Sequence, residues 1–138
     1  MVSSGRLKED DIKLLNKYKI FRFTQSDIAN RMRTAKEKGL LYAEKQFVIG
    51  IPAGEIYEHM ESDELILLQG IIDLFFEEDG EIVLLDYKSD YLEEAEMFIN
   101  RYESQLSYYR KALEQITGKK VKEAIIYSLH LGEEIRIK

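Results

Sequence analysis

Two apolar runs, Ile71-Ile72-Asp73-Leu74-Phe75-Phe76 and Ile82-Val83-Leu84-Leu85-Asp86-Tyr87-Lys88, stand on either side of Glu77-Glu78-Asp79-Gly80. Continuous apolar stretches of this length, bounded by turn residues, read as buried strands, and the Asp-Gly between them is a strong hairpin signal. Upstream, Tyr42 to Ile49 reads as a strand that ends at Gly50, with Pro52 and Gly54 marking a bend. Downstream, Phe98, Tyr102, Leu106, Tyr109, Leu113 and Ile116 recur at helical spacing, which predicts the longest helix over Glu93 to Thr117, closed by Gly118. Ala124 to Leu129 reads as a fourth strand, and Glu134 to Ile137 as a fifth after a turn at Gly132. Near the start, Ile12, Leu14 and Leu15 suggest a short helix over about Glu9 to Lys17; Thr24 or Ser26 then offers an N-cap for a second helix running to Lys38, with Gly39 as the stop. Strands, a long helix and a returning strand predict an α/β domain whose mixed central sheet is flanked by helices. Residues 1–19 are read as an N-terminal linker and short helix, and residues 20–138 as the domain itself.

Composition narrows this picture. A chain of 138 residues with 45% hydrophobic residues can bury a real core within one domain. Cysteine is absent, so there is no disulfide, thiolate zinc site or iron–sulfur cluster in these residues. A cytoplasmic setting is the simplest reading of a chain without cysteine; no run approaches the ~20 apolar residues of a membrane span and the N-terminus lacks a signal-peptide core, so a soluble protein without membrane contact is expected. The net charge of -6 argues against a free-standing nucleic-acid binder held by electrostatics; a DNA substrate would be held mostly by another domain or polypeptide. Arg31, Arg33, Lys36 and Lys38 form the one dense basic segment, readable as a solvated helix face or as a phosphate or partner contact.

The candidate chemistry lies in the two central strands. Asp73 interrupts an apolar run, and a buried charge is costly unless paired or coordinated; the alternative places it on a solvated face. Alternate strand residues share a face, so Asp86 and Lys88 project together while Tyr87 points away, either as an ordinary ion pair or as a metal-binding carboxylate beside a catalytic ammonium. With Asp73 they would form an oxygen-rich site suited to Mg2+, a hard cation that takes one or two carboxylates and keeps several waters. Gln105 and Tyr109, four apart, share the apolar face of the long helix, where a glutamine requires a partner. Glu44 taken alone reads as a surface glutamate. His59 and His130 have no metal-ligand spacing to each other and read as structural or solvent-exposed.

These residues together carry a resemblance. Gly70-Ile71-Ile72-Asp73, Asp86-Tyr87-Lys88-Ser89-Asp90 and Gln105-x-x-x-Tyr109 resemble the RecB-type branch of the PD-(D/E)xK nucleases, with its restriction-endonuclease-like core. More narrowly, Phe23-Thr24-Gln25-Ser26, Arg31-Met32 and Glu44-x-x-Phe47-Val48 resemble the nuclease domain of AddA-type helicase–nucleases, which process double-strand breaks for recombination. The resemblance implies a Mg2+-dependent deoxyribonuclease acting as an exonuclease, with Mn2+ able to substitute. Asp73 and Asp86 would bind the metal, Lys88 would act in catalysis, and Gln105, Tyr109 and Glu44 would support the site. It also implies DNA ends and single-stranded DNA as substrates, an ATP-binding helicase part of the same polypeptide and an AddB-like partner subunit. One departure stands out: the family's metal-binding histidine on an upstream helix has no counterpart before Glu44, so the chain is expected to be a fragment of a larger polypeptide, with activity in isolation in question. The readings from other classes are a non-catalytic docking or DNA-binding module that keeps the fold, and a stand-alone RecB-like nuclease, many of which carry cluster-binding cysteines. No Gly-rich phosphate loop is present, so an ATPase site within these residues is not expected.

Overall fold

The computed structural model describes residues 9–56 and 64–137. His59 and the segment around it lie outside the described residues. The chain runs α1 (Glu9–Thr24), α2 (Asp27–Glu37), β1 (Leu41–Pro52), α3 (Ala53–Ile56), β2 (Leu65–Glu78), β3 (Glu81–Lys88), α4 (Ala95–Thr117), β4 (Val121–Ser128) and β5 (Glu133–Ile137). The strands form one sheet in the order β1-β2-β3-β4-β5. All neighbours pair antiparallel except β3 and β4, which are parallel and joined through α4. This is the mixed sheet that the strand–helix–strand pattern predicts, because parallel neighbours need a long crossover.

Helices cover both faces. On one, Phe98, Leu106 and Leu113 of α4 pack against Ile82, Leu84 and Ile126, all fully buried. On the other, Ile28 and Ala35 of α2 pack against Phe76, Val83, Leu85 and Ile125. Burying each such large side chain contributes about 1.5–3 kcal/mol, which explains why β3, apolar on both faces, sits at the centre of the sheet.

Capping decides between the two N-cap candidates. Ser26 Oγ accepts from the Ala29 N–H at 3.2 Å, whereas the Thr24 hydroxyl donates to the Phe21 carbonyl. α1 therefore continues past Lys17 to Thr24, since nothing at Lys17 stops it and Thr24 closes its last turn. Arg31 of the basic segment is no free cation: its guanidinium pairs with Glu78 at 2.7 Å and also with Glu123, which clamps α2 onto the sheet. Glu78 is held down at a pKa of about 2, chiefly by its hydrogen bond from Arg31. Gly39 and Gly118 take the left-handed conformation just past the ends of α2 and α4, as their stop role requires.

Candidate active site at the fork of the central strands

The β2–β3 ladder stops at Leu74 and Leu85. Beyond that pair, β2 continues with β1 alone as far as Leu65, and β3 continues with β4 alone as far as Lys88. Asp73 and Asp86 are the first residues past the last pair, so the strands fork at the two carboxylates. Asp73 Oδ2 accepts the Tyr87 backbone N–H at 3.2 Å, satisfying a donor that the ended ladder leaves free.

Asp86 is buried, 3% exposed, and its Oδ2 is paired with the Lys88 ammonium, 3.1 Å away. Burial, followed by the contact with the Asp73 carboxyl, pushes the Asp86 pKa up to about 7; the Lys88 charge works in the opposite direction. Two carboxylates sharing one buried site form a donor set suited to a hard divalent cation. A third carboxylate or imidazole does not join them: among the described residues no group of three or more potential ligands converges.

The α4 residues complete the arrangement. Lys88 Nζ donates to Gln105 Oε1 at 3.2 Å, and Gln105 Nε2 donates to Tyr109 OH at 3.2 Å. The glutamine that needed a partner on an apolar helix face has two. Tyr102 lies beneath the ammonium, its ring centre 4.2 Å from Nζ. Tyr109 is raised above the usual phenol range, first by burial and then by the Asp86 charge, so its hydroxyl keeps its proton. Tyr87 points to the opposite face, edge-on to Phe23 at 5.3 Å between ring centres, as strand alternation requires.

Glu44 occupies an unforeseen position. The pairs Ala43↔Leu74 and Lys45↔Ile72 bracket it, so it stands opposite Asp73 in register. It has a positive φ of 52°, unusual for a residue with a side chain, and its side chain is exposed. Both strands change face at this level. Phe47, Ile49 and Ile51 of β1 and Ile72 of β2 lie on the α4 side, whereas Leu74 and Phe76 lie on the α2 side. Tyr42 stacks on Phe75, which faces α4. The reversal turns Asp73 to the same side as Asp86. Simple alternation from Ile72 would have sent it to the other face, and nothing in the sequence periodicity signals the kink. Gly70 has a visible reason: an added Cβ would stand 3.1 Å from the Phe47 ring and 3.5 Å from Tyr109.

A mixed sheet forked at paired carboxylates, with a lysine two residues beyond the second, is the architecture of a nuclease core. The chain belongs to the PD-(D/E)XK nuclease superfamily, whose family model matches residues 6–136. It is homologous to AddA, the larger proteins that carry the name of an ATP-dependent helicase/nuclease. The relative from Lachnoclostridium phytofermentans is 39% identical over 173 residues and takes in 100% of this chain. One from Clostridium perfringens is 41% identical over 144 residues, covering 99% of the chain, and one from Clostridium botulinum is 42% identical over 129 residues, covering 91%. The chain spans 13%, 11% and 10%, respectively, of the length of these curated relatives.

Proposed function

We propose that this domain hydrolyses DNA phosphodiester bonds, using a divalent cation, Mg2+ or Mn2+, held by Asp73 and Asp86. The observation that carries this reading is the Asp86 carboxylate, buried and placed against both Asp73 and Lys88. When bound, the cation supplies Lewis-acid polarisation of the phosphate and a lowered pKa for water at the site. Lys88, held between Asp86 and Gln105, presents its remaining N–H toward the reacting phosphate and offsets the negative charge that develops there. Gln105 fixes the lysine, and its own amide is oriented because Tyr109 OH accepts from Nε2. Tyr109 then keeps its hydroxyl proton to donate to a phosphate oxygen. Glu44, level with Asp73 on the neighbouring strand and exposed, would support the site through solvent.

The relatives' name joins a helicase to a nuclease. We read this chain as the nuclease part of such an ATP-dependent machine, acting as an exonuclease on DNA ends and single strands in double-strand break repair and recombination, in the cytoplasm and with an AddB-like partner. A motor that feeds the strand accounts for a nuclease domain carrying a net charge of -6, since the domain need not capture DNA by its own field. The rival is a docking module that keeps the fold, favoured by the absence of a third convergent ligand among the described residues. Calorimetric titration with Mn2+ and cleavage of linear DNA separate the two. The nuclease reading expects stoichiometric Mn2+ binding and metal-dependent cleavage, both lost in Asp86→Ala. Cleavage that persists in that variant, or no Mn2+ binding beyond nonspecific association, overturns it.

A further inference from the structure

The loop that follows Lys88 is tied down on one side and bare on the other. Asp90 Oδ2 accepts from Tyr102 OH at 2.7 Å and from Arg101 Nη1 at 2.8 Å, which anchors the loop to α4. The next residue, Tyr91, is 73% exposed. Its ring meets His130 edge-on at 5.0 Å, and Lys19 Nζ lies over one face of it, 4.9 Å from its centre. Beside it opens a cavity of about 250 Å³ lined by Asn16, Lys19, Ile20, Ser89, Tyr91 and Leu129. The far wall is held in place by Arg22 of α1, which donates to the Leu129 carbonyl at 2.9 Å and the His130 carbonyl at 3.2 Å.

These parts match one kind of ligand. An exposed ring offers a stacking face, a neighbouring lysine a phosphate contact, an asparagine amide a hydrogen bond to a base edge, and Ile20 and Leu129 an apolar floor. Ser89 lines the cavity directly after Lys88. The cavity lies on the side of β3 where Leu129 packs with Tyr87 and Phe23, whereas the Lys88 side chain turns to α4, so the two sites flank the end of β3. Asp90 holds the loop on α4, so the ring is presented before any strand arrives.

We propose that Tyr91, with Lys19 and Asn16, forms a subsite that stacks a nucleobase of a single strand crossing the end of β3. This rests on the nuclease reading above and adds to it a place for the base that the carboxylate site does not touch.

The test uses the intact chain in EDTA and a short oligothymidylate carrying one 2-aminopurine, with affinity and 2-aminopurine quenching as readouts. Tyr91→Ala is expected to weaken binding roughly tenfold and to abolish the quenching, while Tyr91→Phe retains both. An abasic residue in place of the stacked base is expected to weaken binding to the unaltered chain by a similar factor and to leave Tyr91→Ala unaffected. Equal affinities for the unaltered chain and Tyr91→Ala, or an abasic effect of the same size in both, overturn the subsite. Cleavage by Asp86→Ala, run alongside with Mn2+, separates the two ideas. If Tyr91→Ala binds normally while Asp86→Ala no longer cleaves, the subsite is wrong and the nuclease reading stands. If the unaltered chain neither binds nor cleaves, both are wrong.

Discussion

Lys88 donates a hydrogen bond to Gln105 across the gap between β3 and α4, with Nζ 3.2 Å from Oε1. A lysine has four rotatable bonds, and a strand alone cannot hold its ammonium in one place. The helix supplies the second anchor, and Tyr109 supplies a third point by fixing the amide.

Gln105→Leu should therefore act through Lys88 rather than by removing a group from the reaction. The expected result is a fall in kcat of roughly 10–100-fold with little change in KM, since the supporting partner is lost while the strand-borne groups remain. Steady-state cleavage kinetics check the split. Gln105→Glu, which keeps an acceptor for Lys88, should recover part of the loss; an equal fall for both variants would assign the residue to fold stability instead.

Asp86 gives a pH dependence whose sign can be worked out. Its folded-state pKa of about 7 exceeds the ordinary 3.8, so the folded chain retains a proton that the unfolded chain has lost. Without metal, stability should fall as pH rises from about 3.8 through about 7, where the buried carboxylate is forced to ionise. Asp86→Asn removes that slope and should be more stable than the unaltered chain at high pH, by on the order of 2 kcal/mol, with the gap closing in acid. Urea denaturation in EDTA across the pH range measures this. Adding Mg2+ should stabilise the unaltered chain more at alkaline than at acid pH, because the cation requires the deprotonated carboxylate.

Gly70→Ala tests whether the glycine keeps room for the site. The new methyl would meet Phe47, which is 6% exposed and packed edge-on to Tyr109 at 5.5 Å, so the ring cannot simply swing into solvent. A loss of about 1–2 kcal/mol is expected from overpacking. Movement of Phe47 should also pass to Tyr109 and lower cleavage at temperatures where the chain stays folded. Unchanged melting and activity together would show that the rings yield freely.

Much of the fold was legible because its causes are local. The hairpin at Asp79-Gly80, the helix that Gly118 closes and the strands flanking them follow from short-range spacing, and Asp86 and Lys88 share a face because β3 is regular. Helix α1 ran beyond its expected end because an exposed helix carries little periodic signal: Leu14, Tyr18 and Phe21 are all more than half exposed. The kink at Glu44 left no trace in composition, since a positive φ in a paired strand is imposed by neighbours and not by residue type. The basic segment was ambiguous for a related reason. Only the folded chain brings Glu78 and Glu123, 47 and 92 residues away, onto Arg31.

The sequence by itself determined the α/β layering, the two strands with their carboxylates and lysine, and the face shared by Gln105 and Tyr109, because strand and helix periods act over a few residues. Tertiary structure alone decided that β2 and β3 part at Asp73 and Asp86, that the face reversal opposite Glu44 turns Asp73 toward Asp86, and that Gln105 meets Lys88. Each depends on where one element ends against another, and that is set by the packing of the sheet between α4 and α2 and not by any single stretch of chain.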